Sequence, residues 1–511
     1  MQKTLVLLLS LVCLNLGCYG QRTAPVDLTI TLDPALLEDF APEGRLFIFL
    51  NENMNGEPYQ QLWPLSPQPN HIFADNRYWK GNDPLFVRHS DGFVHTSSFS
   101  LSQVPAGTYR LQVFWDQDTA ESRINAPGNI YSAAQTITLP TAEPLKVMLD
   151  QRIPTRSLVD NPLVKEVSMR SELLSEFWGH EVTIKASVLL PSTYFEQTDR
   201  TYPVRYNVAG YGGRYTRINN LIGRNSTFAQ WWNSEEAPQI VNVFLDGEGP
   251  FGDNYHLDSE NSGPYGSMLT QELIPYIEST FRGRRNSTFR FVDGCSTGGW
   301  VSLALQLFYP DTFNGVWSYS PDAIAFSDYQ LINVYEDENA FVNEWGNPHG
   351  VARDLTGDVI VNMEDFIRYE NVLGASNTFV NSGGQFSAHN ALYSPRGADG
   401  LPMPAFDPET GVIDKDVIEH WRQYDLTLLV KDNWVELGPK LQGKIYIWMG
   451  DMDHFYLNPA TRTFDAMIHS LDNPVSDAVI EFEAMAGHCQ NYDQMTVLQR
   501  MQERVEEMEK R

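Results

Sequence analysis

From Val26 to Asp150 the chain consists of short runs in which apolar and polar residues alternate, separated by Gly, Pro and Asn. Such alternation predicts half-buried strands, and one of them places Tyr109, Leu111 and Val113 on a single face. Similar runs occur at residues 45–50, 96–104, 134–139 and 145–149. Because several short strands at this spacing are typical of a β-sandwich, residues 21–152 are predicted to form an accessory domain of that kind.

After residues 153–161 the pattern changes to apolar runs that alternate with amphipathic helical stretches. Strands are predicted at residues 182–190, 204–209, 240–245, 289–292, 316–319, 444–449 and 478–485, and helices at residues 268–281 and 300–309. This alternation indicates a mainly parallel, doubly wound sheet with helices on its faces. Residues 160–511 are therefore predicted to form a second domain of the α/β class.

Residues 323–443 break the alternation of strands and helices. They are rich in Gly, Asn and Asp and end in a predicted helix at residues 418–432. A long segment inserted between two strands of a sheet lies over the strand ends, where binding residues concentrate. We expect these residues to form a lid over a substrate pocket.

The first twenty residues have the layout of a secretory signal peptide, with Lys3, a leucine-rich run at residues 5–16 and a small-residue end at Gly20. The apolar run is too short to span a bilayer comfortably. Cys18 offers an alternative, attachment of a lipid as in a lipoprotein. We expect cleavage after Gly20 and a secreted or periplasmic protein.

The length of the chain bears on the number of its domains, and its net charge bears on the class of partner that it can bind. With 511 residues the chain is long enough for two domains. The formal net charge is -29, from 36 basic and 65 acidic side chains spread along the chain. That balance argues against nucleic acid or an anionic membrane as a partner and leaves the oligomeric state open.

The motif Gly294-Cys295-Ser296-Thr297-Gly298 lies between a predicted strand and a predicted helix. A Gly-x-Ser-x-Gly element in that context predicts a nucleophilic serine on a strained turn. The N–H of Thr297, at the start of the helix, is then a candidate donor to the oxyanion formed when the serine attacks a carbonyl.

A serine nucleophile requires a histidine base and an orienting acid, which follow it along the chain in this architecture. His488 comes directly after the last predicted strand and is the predicted base. The strand at 444–449 is followed by Gly450, Asp451 and Asp453, and either aspartate could orient the imidazole. We prefer Asp453, because the third position past the glycine is the usual place of the acid.

A second oxyanion donor is expected from Gly210-Tyr211-Gly212-Gly213, a glycine turn that follows the strand at 204–209. The backbone N–H of Tyr211 is the predicted donor. Gly212 in this turn and Trp300 in the helix after the nucleophile are predicted to contact the substrate.

Of the four cysteines, only Cys295 and Cys489 lie outside the predicted leader, and they adjoin Ser296 and His488 respectively. Cys295 could be a small buried apolar residue with Cys489 unpaired. The alternative is a disulfide between them, which an oxidising compartment would allow and which would hold the base to the nucleophile.

The turn at 294–299 together with the pair His488-Cys489 resembles the tannase and fungal feruloyl esterase family, in which cysteines at these two places form a disulfide. Trp300 departs from that family, which commonly has arginine there. Over most of residues 165–500 the chain instead is similar to the putative-esterase family, which includes esterase D, enterochelin esterase and bacterial feruloyl and acetylxylan esterases. The matching segments are residues 202–213, 273–278, 309–313 and 450–456. This resemblance implies an α/β-hydrolase fold and ester hydrolysis without a metal or other cofactor.

We therefore expect a secreted serine carboxylic-ester hydrolase that works through an acyl-enzyme on a small-molecule or polysaccharide-linked ester. Feruloyl or acetyl esters of plant polysaccharides are the expected substrates. A siderophore esterase of the enterochelin type is an alternative, although the chain has no clear basic cluster for an anionic catecholate. Two others are a serine peptidase of the same fold and a non-catalytic binding protein that keeps the hydrolase frame.

Two further features of the sequence are less specific. Asp354 and Asp358 resemble part of a calcium loop but lack the alternating ligands of an EF-hand. Asp116 and Asp118 could bind calcium at a sandwich edge, although acidic residues in turns are usually solvated. Aromatic residues of the predicted sandwich could form a carbohydrate-stacking surface, although they more often belong to a core: Trp63, Trp79 and Trp115.

Overall fold

The computed structural model describes residues 22–66, 68, 70–223 and 226–510. The expected leader, with Cys18, lies outside the described residues. Within them, no helix combines the length and the apolar character that crossing a membrane requires.

Among the described residues of the N-terminal module, residues 22–152, nine strands are joined by hydrogen bonds into one sheet. They are Leu28–Leu32, Glu43–Asn51, Asn70–Tyr78, Leu85–Val87, Val94–His95, Thr108–Asp116, Ile130–Ser132, Gln135–Thr138 and Leu145–Arg152. A separate two-stranded pair joins Thr23–Ala24 to Val104–Pro105.

This single sheet differs from the two separate sheets of the predicted sandwich. The long strand Thr108–Asp116 pairs along one edge with Glu43–Asn51, and along the other with both Gln135–Thr138 and Ile130–Ser132, so the two layers are connected. Residues from both ends of the sheet, such as Ile30 and Ile48, still share one core, as in a sandwich.

The outer face of this sheet packs on the second domain. Phe47, Phe49 and Phe114 point away from the module's own core and form a second apolar cluster with Val372. Because strand residues alternate between faces, the run of consecutive apolar residues around Phe47 indicates burial on both sides.

In the described part of the second domain, eight strands form the main sheet. They are Val164–Ser171 (β1), Val182–Leu189 (β2), Val204–Val208 (β3), Val241–Leu245 (β4), Arg290–Cys295 (β5), Val316–Tyr319 (β6), Ile445–Gly450 (β7) and Val479–Glu483 (β8). Their spatial order is β1-β2-β4-β3-β5-β6-β7-β8. β2 runs antiparallel to both of its neighbours, whereas β3 to β8 pair in parallel. This is the mainly parallel sheet that the alternation of strands and helices predicts, and it agrees with the α/β-hydrolase fold that the family resemblance implies.

Helices cover this sheet and fill the connections between its strands. The α-helices are Glu172–Trp178, Ile218–Ile222, Thr227–Trp232, Tyr265–Met268, Ile274–Thr280, Thr297–Phe308, Met363–Leu373, Gln385–Tyr393, Lys415–Trp421, Leu426–Leu441, Asn458–Ile468 and Gln494–Lys510. Leu269–Leu273 forms a π-helical turn between two of them. Short 3-10 turns lie at Pro34–Asp39, Pro58–Gln60, Tyr215–Arg217, Ser287–Phe289, Phe326–Asp328, Phe379–Asn381 and Arg422–Tyr424. Two-stranded pairs join Glu248–Gly249 to Gly252–Asp253, Asp258–Ser259 to Gly263–Pro264, and Gly350–Arg353 to Val359–Asn362.

The predicted lid, residues 323–443, extends too far at its C-terminal end. Helix Leu426–Leu441, whose first N–H groups are capped by the Asp425 carboxylate, packs against helices Thr297–Phe308 and Asn458–Ile468. It therefore belongs to the layer that covers the sheet. The insertion, residues 323–425, contains helices Met363–Leu373 and Gln385–Tyr393, and side chains of both helices line the same cavity as Ser296.

Candidate active site

Ser296 occupies the turn between β5 and helix Thr297–Phe308. Its backbone has a φ of 63° and a ψ of -129°, a conformation that residues with a side chain rarely adopt. A Cβ on Gly294 would overlap the carbonyl oxygen of Gly298, and one on Gly298 would lie 2.5 Å from that of Val208. The glycine spacing of the motif is therefore a packing requirement of the turn.

His488, in the loop after β8, contacts Asp453, which follows β7. The imidazole Nδ1 lies 2.7 Å from Asp453 Oδ2. The other carboxylate oxygen accepts the N–H of Phe455 at 2.9 Å, and the side chain of Asp453 is fully buried. Asp451, the alternative acid, instead forms an ion pair with Arg462. The structure thus brings Asp453 to the imidazole and holds Asp451 away from it.

Opposing influences act on the protonation of His488. Burial lowers the pKa of the imidazole, but the charge of Asp453 and its hydrogen bond raise it, and the charge of Asp322 raises it further. The attractive interactions prevail, so the pKa of His488 lies above its ordinary value. The carboxylates thereby stabilise the protonated form of the imidazole.

A disulfide joins Cys295 to Cys489, with 6.0 Å between the two Cα atoms and a sequence separation of 194. It links the residue before Ser296 to the residue after His488. Among the described residues no hydrogen bond connects Ser296 with His488, a contact that in many enzymes tightens only when substrate binds. The covalent link keeps the two side chains in the same small region.

The two candidate oxyanion donors, the N–H groups of Thr297 and Tyr211, belong to segments that lie next to Ser296. Thr297 is the first residue of its helix, so its N–H has no acceptor within that helix. A Cβ on Gly210 would lie 3.7 Å from Ser296 Cβ, which shows how closely the glycine turn approaches the serine. The Tyr211 N–H donates to no group in the described part of the chain.

The structure corrects the two expected substrate contacts. The N–H of Gly212 donates to Asp253 at 2.9 Å, and Gly212 does not line the cavity beside Ser296. Trp300 is fully buried and donates its indole N–H to the carbonyl of Ala323. Trp300 comes four residues after Ser296, on the side of the helix that faces the core. It therefore supports the turn from the core side.

A cavity of about 530 Å³ opens on Ser296. Its aromatic lining comes from all parts of the protein: Trp63, Tyr211, Phe366, Phe386 and Phe455. Its polar lining includes Asp322, Gln330, Gln385 and His389. Apart from Tyr211 and Trp63, none of these side chains stands out in the sequence, because the insertion brings most of them together in three dimensions.

Trp63 reaches this cavity from the N-terminal module. Its ring centroid lies 5.5 Å from that of Phe366, 5.7 Å from that of Tyr211 and 6.1 Å from that of Phe455. Phe455 in turn packs edge-on against the His488 imidazole at 4.8 Å. Trp79 and Trp115, by contrast, belong to the module's core. Of the three tryptophans considered for stacking, only Trp63 lines this cavity.

Arg123 of the same module supports the glycine turn. Its guanidinium lies 4.8 Å from the ring centroid of Tyr211 and 3.1 Å from the carboxylate of Asp253, which holds Gly212. Its Nε also donates to the carbonyl of Gly383 in the insertion. One side chain therefore ties together the module, the glycine turn and the insertion.

The carboxylates considered for calcium binding are engaged by neighbouring protein groups. The carboxylate of Asp354 accepts hydrogen bonds from Thr356 and from the N–H of Asp358, as in an ordinary turn. Asp116 is buried against Asn129, and burial raises its pKa to about 7. Within the described ranges, no group of three or more His, Cys, Asp or Glu side chains is arranged to hold a metal ion.

Comparison with known proteins identifies the family. The family described as putative esterase matches residues 179–496. No curated protein sequence matches the chain.

Among solved structures, the chain is similar to a ferulic acid esterase with 15% identity, 68% of this chain and 99% of that one covered, and a TM-score of 0.40. It is also similar to a fluorophosphonate-binding serine hydrolase, FphF, of Staphylococcus aureus, with 13% identity, coverage of 67% and 98%, and a TM-score of 0.39. An S-formylglutathione hydrolase from Agrobacterium tumefaciens shows 15% identity, coverage of 67% and 93%, and a TM-score of 0.37. Because the family match spans more than half of the chain, the protein belongs to the putative esterase family and is a serine carboxylic-ester hydrolase.

Proposed function

We propose that Ser296, His488 and Asp453 form the catalytic triad of this hydrolase and that the reaction proceeds through an acyl-enzyme. Asp453 holds the Nδ1 proton of His488, which leaves Nε2 free to take the proton of the Ser296 hydroxyl. The serine oxygen attacks the ester carbonyl, and the imidazolium then returns the proton to the departing alcohol. Water, deprotonated by the same imidazole, cleaves the acyl-serine bond and releases the acid.

The N–H groups of Thr297 and Tyr211 are the proposed oxyanion hole. Each such donor, when aimed at the developing negative charge, typically lowers the barrier by about 3 to 4 kcal/mol. The support of Tyr211 by Arg123 gives this donor a fixed position before substrate arrives. Preorganisation of that kind is what makes the donors effective in the transition state.

The aromatic cavity beside Ser296 is the observation that carries the substrate proposal. Aromatic rings attract planar groups through stacking and burial. A cavity of about 530 Å³ also has room for more than an acetyl group. We therefore favour an ester with an aromatic acyl group, such as a feruloyl ester of a plant polysaccharide, over an acetyl ester.

A siderophore esterase receives less support from the cavity. Arg217 is the only basic residue among the described cavity-lining residues, apart from His389. Its guanidinium donates to Asn207 and to the carbonyls of Arg214 and Leu245. Since those donors are engaged, the cavity offers no free cation to an anionic catecholate, and Asp322 adds a negative charge.

Export to an oxidising compartment is part of the proposal. The leader pattern of residues 1–20 and the Cys295–Cys489 disulfide both agree with it, since disulfides persist in such compartments. The mass of the protein recovered from the growth medium or periplasm tests this point. A mature chain that begins at Gln21 is expected, and recovery of the uncleaved chain from the cytoplasm would contradict export.

A panel of esters tests the activity and its substrate class. Methyl ferulate, feruloylated and acetylated xylan, p-nitrophenyl esters and a ferric catecholate siderophore are assayed with wild type and Ser296→Ala. We expect aromatic acyl esters to be hydrolysed fastest by wild type and the variant to be inactive on all of them. Binding of a ligand without turnover of any ester would favour a non-catalytic binding protein.

A further inference from the structure

Asp322 is the only carboxylate among the described residues that line the cavity. It follows β6 closely, and its backbone N–H lies 3.4 Å from the carbonyl oxygen of Ser296. The side chain is 9% exposed. A carboxylate therefore lies beside the nucleophile, where the proposed reaction itself assigns it no role.

The hydrogen bonds of this carboxylate involve only one of its two oxygens in the described part of the chain, Oδ2. Oδ2 accepts from the hydroxyls of Tyr255 at 3.2 Å and Thr297 at 3.0 Å and from the amide of Gln385 at 3.0 Å. The Nε2 of His389 lies 3.4 Å from the same oxygen. Oδ1 accepts no hydrogen bond from any residue that the structure describes. A carboxylate buried for structural reasons alone usually has partners on both oxygens.

The orientation of Asp322 is fixed by a second layer of contacts. The other ring nitrogen of His389 lies 2.6 Å from the hydroxyl of Tyr329, and Gln385 Nε2 lies 3.0 Å from both Tyr255 and Thr297. These side chains hold Oδ2 in place, and this also fixes the direction in which Oδ1 points, because both oxygens belong to one planar carboxylate. A preorganised acceptor of this kind selects ligands by the position of their donors.

His389, with Nε2 3.4 Å from Oδ2, is the one basic side chain that contacts the carboxylate of Asp322 in the described part of the chain. Neither lysine nor arginine forms an ion pair with it in the described part of the chain. Its charge also reaches the base, since it contributes to the raised pKa of His488. A ligand group at Oδ1 must therefore be a hydrogen-bond donor, whereas a carboxylate or phosphate would be repelled.

We propose that Asp322 is a specificity-determining residue whose Oδ1 accepts a hydrogen bond from a hydroxyl or ammonium group of the substrate, a few bonds from the ester carbonyl. The proposal rests on the proposed function, because it assumes an ester attacked by Ser296. Because Asp322 lies close to Ser296, the donor group of the substrate must lie close to the ester carbonyl that Ser296 attacks. The substrate class is thus an ester with a neighbouring donor, on either the acyl or the alcohol part.

Matched esters test this proposal. Methyl esters of 3-phenylpropionic acid, 3-phenyllactic acid and phenylalanine share one skeleton and carry hydrogen, hydroxyl and ammonium at the same carbon. Ethyl and 2-hydroxyethyl esters of 3-phenylpropionic acid provide the corresponding pair on the alcohol side. kcat/KM is measured for wild type, Asp322→Asn and the control Asp432→Asn, whose carboxylate is exposed on helix Leu426–Leu441.

In at least one series wild type should prefer the donor-bearing ester by about tenfold or more, the usual effect of a hydrogen bond to a charged group. Asp322→Asn should remove most of that preference, and Asp432→Asn should keep it. The acyl and alcohol series show which part carries the donor, and the hydroxyl and ammonium esters show its charge.

Equal kcat/KM within every series for wild type would overturn the proposal, even if Asp322→Asn failed to fold. A preference that survives in a folded Asp322→Asn variant would also overturn it. Failure of the proposed function looks different, because then none of the esters is hydrolysed and Ser296 reacts with no fluorophosphonate probe.

Discussion

Tyr492 donates a hydrogen bond of 2.7 Å from its hydroxyl to the carboxylate of Asp293. Asp293 precedes Ser296 by three residues and Tyr492 follows His488 by four, so this bond runs beside the Cys295–Cys489 disulfide. Arg205 forms a buried ion pair with the same carboxylate. The loop that carries the base is therefore held to the nucleophile strand at two points, one covalent and one polar.

Removal of the disulfide should reduce stability more than it reduces activity. In Cys295→Ala/Cys489→Ala the free energy of unfolding should fall by about 2 to 5 kcal/mol, because the unfolded chain is no longer cross-linked. kcat should fall less than in the same variant with Tyr492→Phe added, since the bond to Asp293 still positions the loop. Urea unfolding and kcat of both variants and of Tyr492→Phe alone check this. Unchanged stability without the disulfide would contradict it.

Asp453→Asn should lower kcat by about three to four orders of magnitude, the effect seen when the acid of a triad no longer fixes the tautomer of its histidine. Asp451→Asn is the matched control, because Asp451 forms an ion pair with Arg462 outside the contact with His488. Its kcat should remain close to wild type. A larger loss in Asp451→Asn than in Asp453→Asn would show that the acid has been assigned to the wrong residue.

The pH dependence of kcat/KM should report the raised pKa of His488. The base must be neutral to accept the serine proton, so activity is lost as pH falls through this pKa, which lies above the value of about 6.5 for a free imidazole. Asp322→Asn removes a negative charge that favours the imidazolium, and the acid limb should move to lower pH. Asp432→Asn should leave the limb in place. An acid limb that moves to higher pH in Asp322→Asn would contradict this electrostatic account.

Trp63→Ala should lower kcat/KM for aromatic acyl esters by about tenfold, an effect of the size expected for loss of an aromatic contact. Hydrolysis of ethyl acetate should change little, because this ester carries no ring that could stack on Trp63. Trp345→Ala is the control, since Trp345 is 76% exposed and lines no part of this cavity. An equal loss on aromatic and acetyl esters would indicate a general disturbance instead of a lost substrate contact.

The parts of the site that sequence predicts are those set by local backbone requirements. The turn at Ser296 is recognisable because its glycines are required within five residues, and His488 and Asp453 follow from the order of strands along the chain. Trp63, Asp322 and His389 come from different parts of the chain and converge only through tertiary packing. Asp322 carries one signal, its place just after β6 at the carboxyl edge of the sheet.

The differences between prediction and structure have physical causes of the same kind. Trp300 is prominent in the sequence because it follows the nucleophile motif, yet helical geometry turns it toward the core. β1 is missing from the predicted strands because it lacks the continuous apolar run of a buried parallel strand. It is an antiparallel edge strand with one polar face. The separate sheets of the sandwich become one because a single long strand, Thr108–Asp116, pairs with three others, which no local pattern reveals.

The most direct test of the account is the site of covalent labelling by a fluorophosphonate probe. Peptide mass spectrometry of the labelled wild-type protein should place one adduct on Ser296, and Asp453→Asn should be labelled much more slowly. An adduct on another residue, or no adduct on a protein that still hydrolyses esters, would contradict the claim that Ser296 is the nucleophile.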